Sequence, residues 1–207
     1  SDLLLKLSAE HDVIGMDKAE IDIVSADDCH NAIKETQPDI VVNAAAYTDV
    51  DGCETDREGC FAVNAEAVKN IAGACRNTNV RIIHYSTDYV FDGKASEPYR
   101  EEDPCHPINV YGESKRAGER YLESLSDHYL IIRTSWLYGA KGRNFVQSIL
   151  EKAKAKKFIN DAMTKAHAVP DGPSTLSVVD DQIGSPTYTK DLALATALLI
   201  EKNDKKK

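Results

Sequence analysis

The stretch "VRIIHYSTDYVFDG" (80–93) decides the fold. Its apolar half is a short run without clean alternation, as expected of a strand covered on both faces. Its polar half, Ser86-Thr87-Asp88, begins where that strand should end and leads to a glycine turn. Thr87 reads as a turn residue, a helix cap or a hydroxyl aimed at a ligand. The next ordered stretch, "YGESKRAGERYLESL" (111–125), has the spacing of an amphipathic helix. A polar, proline-containing loop over 87–110 joins the two.

The pattern repeats on both sides. Upstream, "DIVVNAAAY" (39–47) and "DVIGMD" (12–17) read as strands, and 2–10, 25–37 and 56–79 as helices. The helix at 25–37 opens with Ser25 and early acids, and Pro38 ends it. Downstream, "YLIIRTSWLYG" (129–139) is a strand with its outgoing loop, and 144–156 and 190–202 are helices. Alternating strands and helices predict an α/β fold with a doubly wound, parallel Rossmann-type sheet and helices on both faces. Residues 157–189, with the turn-rich "HAVPDGPSTL" and one short strand in "SVVDDQIGSPTY", read as part of a smaller substrate lobe or lid. The expected division is 1–156 for the sheet domain, 157–189 for the lobe, and 190–207 for a helix returning to the core with a charged tail.

The chain has 207 residues, 42 % of them hydrophobic, which argues for a sizeable core. A net charge of −9 argues against a partner that is a nucleic-acid polymer. Cys29, Cys53, Cys60, Cys75 and Cys105 show neither a CxxC pair nor zinc-ligand spacing. Their scatter fits reduced thiols, several of them buried, in a cytoplasmic protein. No leader-type segment and no apolar run long enough for a bilayer is read, so no membrane partner is expected.

Tyr111 and Lys115 lie four apart on the predicted helix, on one face and one turn apart. A phenol ordinarily ionises near pH ~10. A neighbouring ammonium is expected to lower that value and make the phenol a usable acid–base group. Alone, the pair is as compatible with a solvated helix face. Thr87, just past a strand's C-terminal end, adds a hydroxyl where open α/β sheets bind ligands.

Thr87, Tyr111 and Lys115 in this order resemble the Ser/Thr–Tyr–Lys triad of the extended short-chain dehydrogenase/reductase superfamily. The blocks "NAAAYTDVDGCE" (43–54), "STDYVFDG" (86–93), "PYREEDP" (98–104), "NVYGESKRAGE" (109–119), "RTSWLYG" (133–139), "NFV" (144–146) and "VVDDQIGSPTY" (178–188) resemble the dTDP-4-dehydrorhamnose reductase family, in its order. They cover most of 12–200. The resemblance implies NADH- or NADPH-dependent reduction of the 4-keto group of dTDP-4-dehydro-L-rhamnose. It implies that Tyr111 is the general acid, that Lys115 holds the nicotinamide ribose and tunes Tyr111, and that Thr87 holds the carbonyl. Asp88, Tyr89 and Trp136 extend the substrate contact. Ala46, Tyr47 and Thr48 line the cofactor and substrate path. Asp17, Asp22 and Ile23 face the adenosine half of the cofactor. An acid at the end of the "VIGMD" strand suits ribose hydroxyls and gives NADH a slight preference. Trp136 offers an apolar face to a deoxysugar, the alternative being a core aromatic. A homodimer and a Mg2+ ion follow from the resemblance as well, without ligands that the sequence can place.

Two features depart from that family. Its Gly-rich pyrophosphate loop and first strand should precede Ser1, and its C-terminal lobe should continue past Lys207. The first strand of a doubly wound sheet is central, so its absence is expected to leave a slot between "DVIGM" and "RIIHYS". These 207 residues are therefore expected to belong to a longer reductase rather than to form a stable, active monomer. The segment 157–177 is also longer than the family's link. The rival class is a non-catalytic subunit on the same scaffold, like the regulatory subunit of methionine adenosyltransferase. A third reading is another nucleotide-sugar epimerase, reductase or dehydratase. A dehydratase would want an acid pair after Thr87, whereas Asp88 is followed by Tyr89.

Overall fold

A parallel strand needs a crossover before the next one, and this chain supplies helices between its strands. The computed structural model describes residues 1–140, 142, 144–165 and 181–204. They separate into two units, Gly15–Thr134 and Ser1–Ile14 with Ser135–Lys207. This division cuts elsewhere than the expected boundary at 156.

The first unit holds strands β1 (Ile40–Asn43), β2 (Arg81–Thr87) and β3 (Tyr129–Thr134). They form a parallel sheet in the order β1-β2-β3, with Ile40 opposite Arg81 and Ile82 opposite Tyr129. Ile82, Ile83 and His84 are all buried although consecutive side chains point to opposite faces, so both faces of β2 are covered. Helix α2 (Ala26–Thr36) precedes β1 and is capped by Ser25, whose hydroxyl accepts from the Asp28 amide at 3.2 Å. Between β1 and β2 run α3 (Val50–Thr55), α4 (Arg57–Phe61), a π-helical turn (Ala62–Glu66) and α5 (Ala67–Ala74). The predicted helix over 56–79 is thus shorter and interrupted at Asn64. Helix α6 (Val110–Leu125) crosses from β2 to β3. Cys29, Val68, Ile71, Ala72, Cys75, Val80, Ile82 and Leu122 form the principal core. All five cysteines are free and four are buried. Burial pushes the Cys29 and Cys75 thiols up to about 11, so they act as small apolar side chains.

In the second unit, α1 (Asp2–Leu7) packs with α8 (Thr189–Asp204), and Thr189 donates to the Asp2 carboxylate at 2.6 Å. Strands β4 (Leu137–Tyr138) and β5 (Thr187–Tyr188) pair in parallel, and α7 (Phe145–Lys165) follows β4 in sequence.

Several expectations are corrected. Residues 12–17 are not a strand: a strand exists by virtue of a ladder, and none forms there among the described residues. No slot borders "RIIHYS", because β1 and β3 flank β2 on its two sides. The strand over 129–139 breaks at Ser135–Trp136, where Trp136 takes a left-handed conformation with φ 47°. The helix predicted over 144–156 runs on to Lys165. No glycine or proline interrupts "EKAKAKKFINDAMTK", and Pro170 comes only later. The expected turns and short strand of 166–180 lie outside the described residues.

Candidate active site

Helix α6 begins where its first turn is tied down from two sides. The Asn109 carboxamide accepts from the Gly112 amide at 2.8 Å, and the Val110 amide donates to Glu54 Oε1 at 2.9 Å. A β-carbon on Gly112 would collide with the Tyr89 carbonyl. The glycine next to Tyr111 therefore lets the helix start close against the short 3₁₀ turn Asp88–Val90 that follows β2. This close approach brings Tyr111 to Thr87.

Thr87 is both a cap and a site hydroxyl. Its oxygen accepts from the Tyr89 amide at 3.2 Å and its hydroxyl donates to Asp88 Oδ1 at 3.1 Å. The Tyr111 hydroxyl lies near enough for Thr87 to favour its ionised form. Burial holds the Asp88 carboxyl above its ordinary value, against the Thr87 hydrogen bond. The Tyr89 ring meets Tyr111 edge to face at 5.6 Å. Tyr111 also packs against buried Cys53, Cys60 and Val110.

The Tyr111 phenol shifts in the direction opposite to the one expected. Burial pushes it up to about 12, and Thr87 only partly opposes this. The Lys115 ammonium is directed elsewhere: Nζ donates to the Tyr85 carbonyl at 2.6 Å and lies 3.4 Å from His84 Nε2. Lys115 is 2 % exposed, and burial lowers its value to about 8 against the pull of Glu119. His84, fully buried, is pushed down to about 3, chiefly by burial and then by Lys115, and is therefore neutral.

The segment after β1 is set by Asn64. Its Oδ1 accepts from the Tyr47 amide at 2.8 Å, while Nδ2 donates to the Tyr47 carbonyl and to Ser114 Oγ, both at 3.0 Å. One buried carboxamide in the π-helical turn thus ties the Ala46-Tyr47-Thr48 segment to α6. Ala46 and Tyr47 are half-buried and Thr48 is exposed.

Asp17 and Asp22 are exposed turn residues whose carboxylates accept from the Ala19 and Val24 amides at 2.8 and 3.0 Å. Ile23 packs on the core, and Asn70 Nδ2 donates to its carbonyl at 3.2 Å. Trp136 belongs to the other unit. It is 40 % exposed, with its ring against Gly184 and 6.4 Å from Phe145, so it is not a core aromatic.

Sequence reading missed Asn43, His84, Asn64 and Glu119. Their signal was polarity inside apolar periodicity: His84 interrupts "RIIHYS" and Asn64 interrupts a helix face. Glu119, fully buried, binds Arg133 through Nε at 2.9 Å and Nη2 at 2.8 Å, and Arg116 at 2.8 Å. Burial works to raise its value, but these ion pairs hold the carboxyl below the ordinary range. Among the described residues no group of three His, Cys, Asp or Glu side chains gathers to hold a metal ion, so the implied Mg2+ has no donor set there.

A parallel α/β sheet with Thr87 at the carboxyl end of its middle strand, and with Tyr111 and Lys115 one turn apart on the following helix, defines a Rossmann-type domain of the short-chain dehydrogenase/reductase class. Residues 1–207 match the family described as RmlD substrate binding domain, and the chain belongs to that family. It is 40% identical over 199 residues to the dTDP-4-dehydrorhamnose reductase of Aggregatibacter actinomycetemcomitans, covering 96% of this chain and 62% of the relative. A solved dTDP-4-dehydrorhamnose reductase from Bacillus anthracis, in complex with NADP, superposes with a TM-score of 0.84 at 37% identity, covering 96% of this chain and 65% of that one. One from Clostridium acetobutylicum gives 0.86 at 34% identity, covering 98% and 66%. The UDP-glucose 4-epimerase of Thermus thermophilus, 21% identical with a TM-score of 0.69 over 95% of this chain and 69% of that one, shares the fold. The chain spans about three-fifths of the length of the curated relatives it matches, for example 62% and 60%.

Proposed function

We propose that this chain supplies the acid–base site of an NAD(P)H-dependent nucleotide-sugar reductase that converts dTDP-4-dehydro-L-rhamnose to dTDP-L-rhamnose. The observation that carries the proposal is the placing of Tyr111 beside Thr87 at the carboxyl end of β2, with Lys115 one turn behind on α6. What supports the cofactor is the donor set there, two hydroxyls and a buried lysine, together with the exposed carboxylates of Asp17 and Asp22.

Hydride is what NADH or NADPH supplies when bound. Tyr111 stays protonated at neutral pH and gives that proton to the 4-oxygen as negative charge develops on it. Thr87 orients the carbonyl, and its own rotamer is held by Asp88 and the Tyr89 amide. Tyr89 extends the substrate surface, while Ala46, Tyr47 and Thr48 line the path to the reacting carbon. Lys115 holds the nicotinamide ribose and restores the proton balance at Tyr111. Asp17, Asp22 and Ile23 border the adenosine half, where a carboxylate disfavours a 2′-phosphate and gives NADH a modest preference. The five free thiols are in keeping with a reducing, cytoplasmic setting, and a homodimer accompanies this reading.

The test is NADH or NADPH oxidation by the full-length protein with the keto-sugar nucleotide. Turnover that depends on that sugar supports the proposal. Tight capture of a partner enzyme without turnover would point to a regulatory subunit instead.

A further inference from the structure

The orientation of His84 follows from hydrogen bonds two residues away. The Ala45 amide donates to Asn43 Oδ1 at 3.1 Å, and an amide N–H can be received only by the oxygen of that carboxamide. The Asn43 Nδ2 donor therefore faces His84 Nδ1, at 3.2 Å. A donor pointed at Nδ1 makes that nitrogen the acceptor, so the neutral ring carries its proton on Nε2. Nε2 is the atom 3.4 Å from Lys115 Nζ. An N–H facing an ammonium is unfavourable, whereas an N–H facing an amine lone pair is a hydrogen bond. The same Nζ keeps a good acceptor in the Tyr85 carbonyl at 2.6 Å in either state.

We propose that His84, its ring set by Asn43, is a positioning residue that holds Lys115 Nζ in place and controls whether Lys115 keeps its proton. The inference rests on the reading of Lys115 as the partner of Tyr111. The other groups around Lys115 are accounted for: Glu119 and Tyr111 on its own helix, and Cys60 on α4. Glu119 and Cys60 favour the ammonium, and Glu119 is already shared between Arg133 on β3 and Arg116 on α6. His84, on β2, is the group that opposes them at close range. Burial, which lowers Lys115 to about 8 against Glu119 and Cys60, acts in the same direction. Three buried side chains from β1, β2 and α6 thus form a line, Asn43–His84–Lys115.

Nitrogen-15 NMR of the full-length wild-type protein reads the His84 tautomer directly, without any variant. A proton on Nε2 supports the proposal, and a proton on Nδ1 overturns it. In His84→Gln the carboxamide oxygen can turn toward Nζ, so an acceptor replaces the N–H. The Lys115 midpoint, followed through carbon-13 at Cε, should then rise by about one unit; an unmoved midpoint overturns the proposal. The alkaline limb of kcat, measured on the same two proteins with NADH bound, should rise with it. If the Lys115 midpoint moves while that limb stays, the hold of His84 on Lys115 stands and the assignment of Lys115 to the reaction fails.

Discussion

Asn64→Ala removes four hydrogen bonds at once, the longest of them to Cys60 Sγ at 3.5 Å, and the structure sets their cost. The Tyr47 amide and carbonyl lose their partners at 2.8 and 3.0 Å, and Ser114 Oγ loses a donor at 3.0 Å. An unsatisfied buried polar group costs about 1–3 kcal/mol. Tyr47 is half-buried, so water recovers part of this for its backbone. Ser114 is fully buried and still donates to the Tyr111 carbonyl at 2.7 Å. The expected loss is about 2–4 kcal/mol, a large share of a typical domain stability of about 5–15 kcal/mol. Urea unfolding of the full-length protein should show a midpoint lowered by about 1 M at unchanged slope. The KM for cofactor should rise as well, because the Ala46–Thr48 segment loses its tie to α6. A loss below about 0.5 kcal/mol, the range of an ordinary surface substitution, would refute the idea that Asn64 anchors that segment.

Gly112→Ala should lower kcat more than it raises KM, since a β-carbon there must push the start of α6 away from the Tyr89 carbonyl and part Tyr111 from Thr87; steady-state kinetics checks this, and unchanged kcat would mean the close approach is dispensable. Asp17→Asn should shift the kcat/KM ratio toward NADPH, and an unchanged ratio would remove Asp17 from the ribose. In the direction of reduction, kcat should fall as pH rises through about 8, because Lys115 loses its proton there while Tyr111 holds its own to about 12. A flat profile from pH ~7 to ~9 would exclude Lys115 from the rate-determining proton balance.

What the sequence made legible depended on which interactions are local. Ser25, the apolar run of β2 and the Tyr111–Lys115 spacing are encoded within a few residues, and all three are realised as read. The strand expected at 12–17 fails because a ladder needs a neighbour that its own residues cannot supply. The break at Trp136 is equally invisible, since a left-handed tryptophan is stabilised by its surroundings rather than by its own propensity. The direction of the Tyr111 shift was misjudged for a related reason. Sequence spacing places an ammonium one turn away, but only the fold shows that this ammonium is directed at Tyr85 and His84 and that burial dominates. Asn64 and His84 act across 17 and 31 residues, on Tyr47 and Lys115 respectively, and single-sequence periodicity carries no information about such partners.

The most direct measurement of the central claim is the single-turnover reduction rate of full-length Tyr111→Phe with saturating NADH and keto-sugar nucleotide, beside NADH affinity from fluorescence. The substitution removes one hydroxyl from a site where the phenol is protonated and lies beside Thr87. General acid catalysis supplies about a hundred- to ten-thousand-fold in rate. A fall within that range with NADH affinity preserved is the predicted result, and a near-wild-type rate would contradict the assignment of Tyr111 as the proton donor.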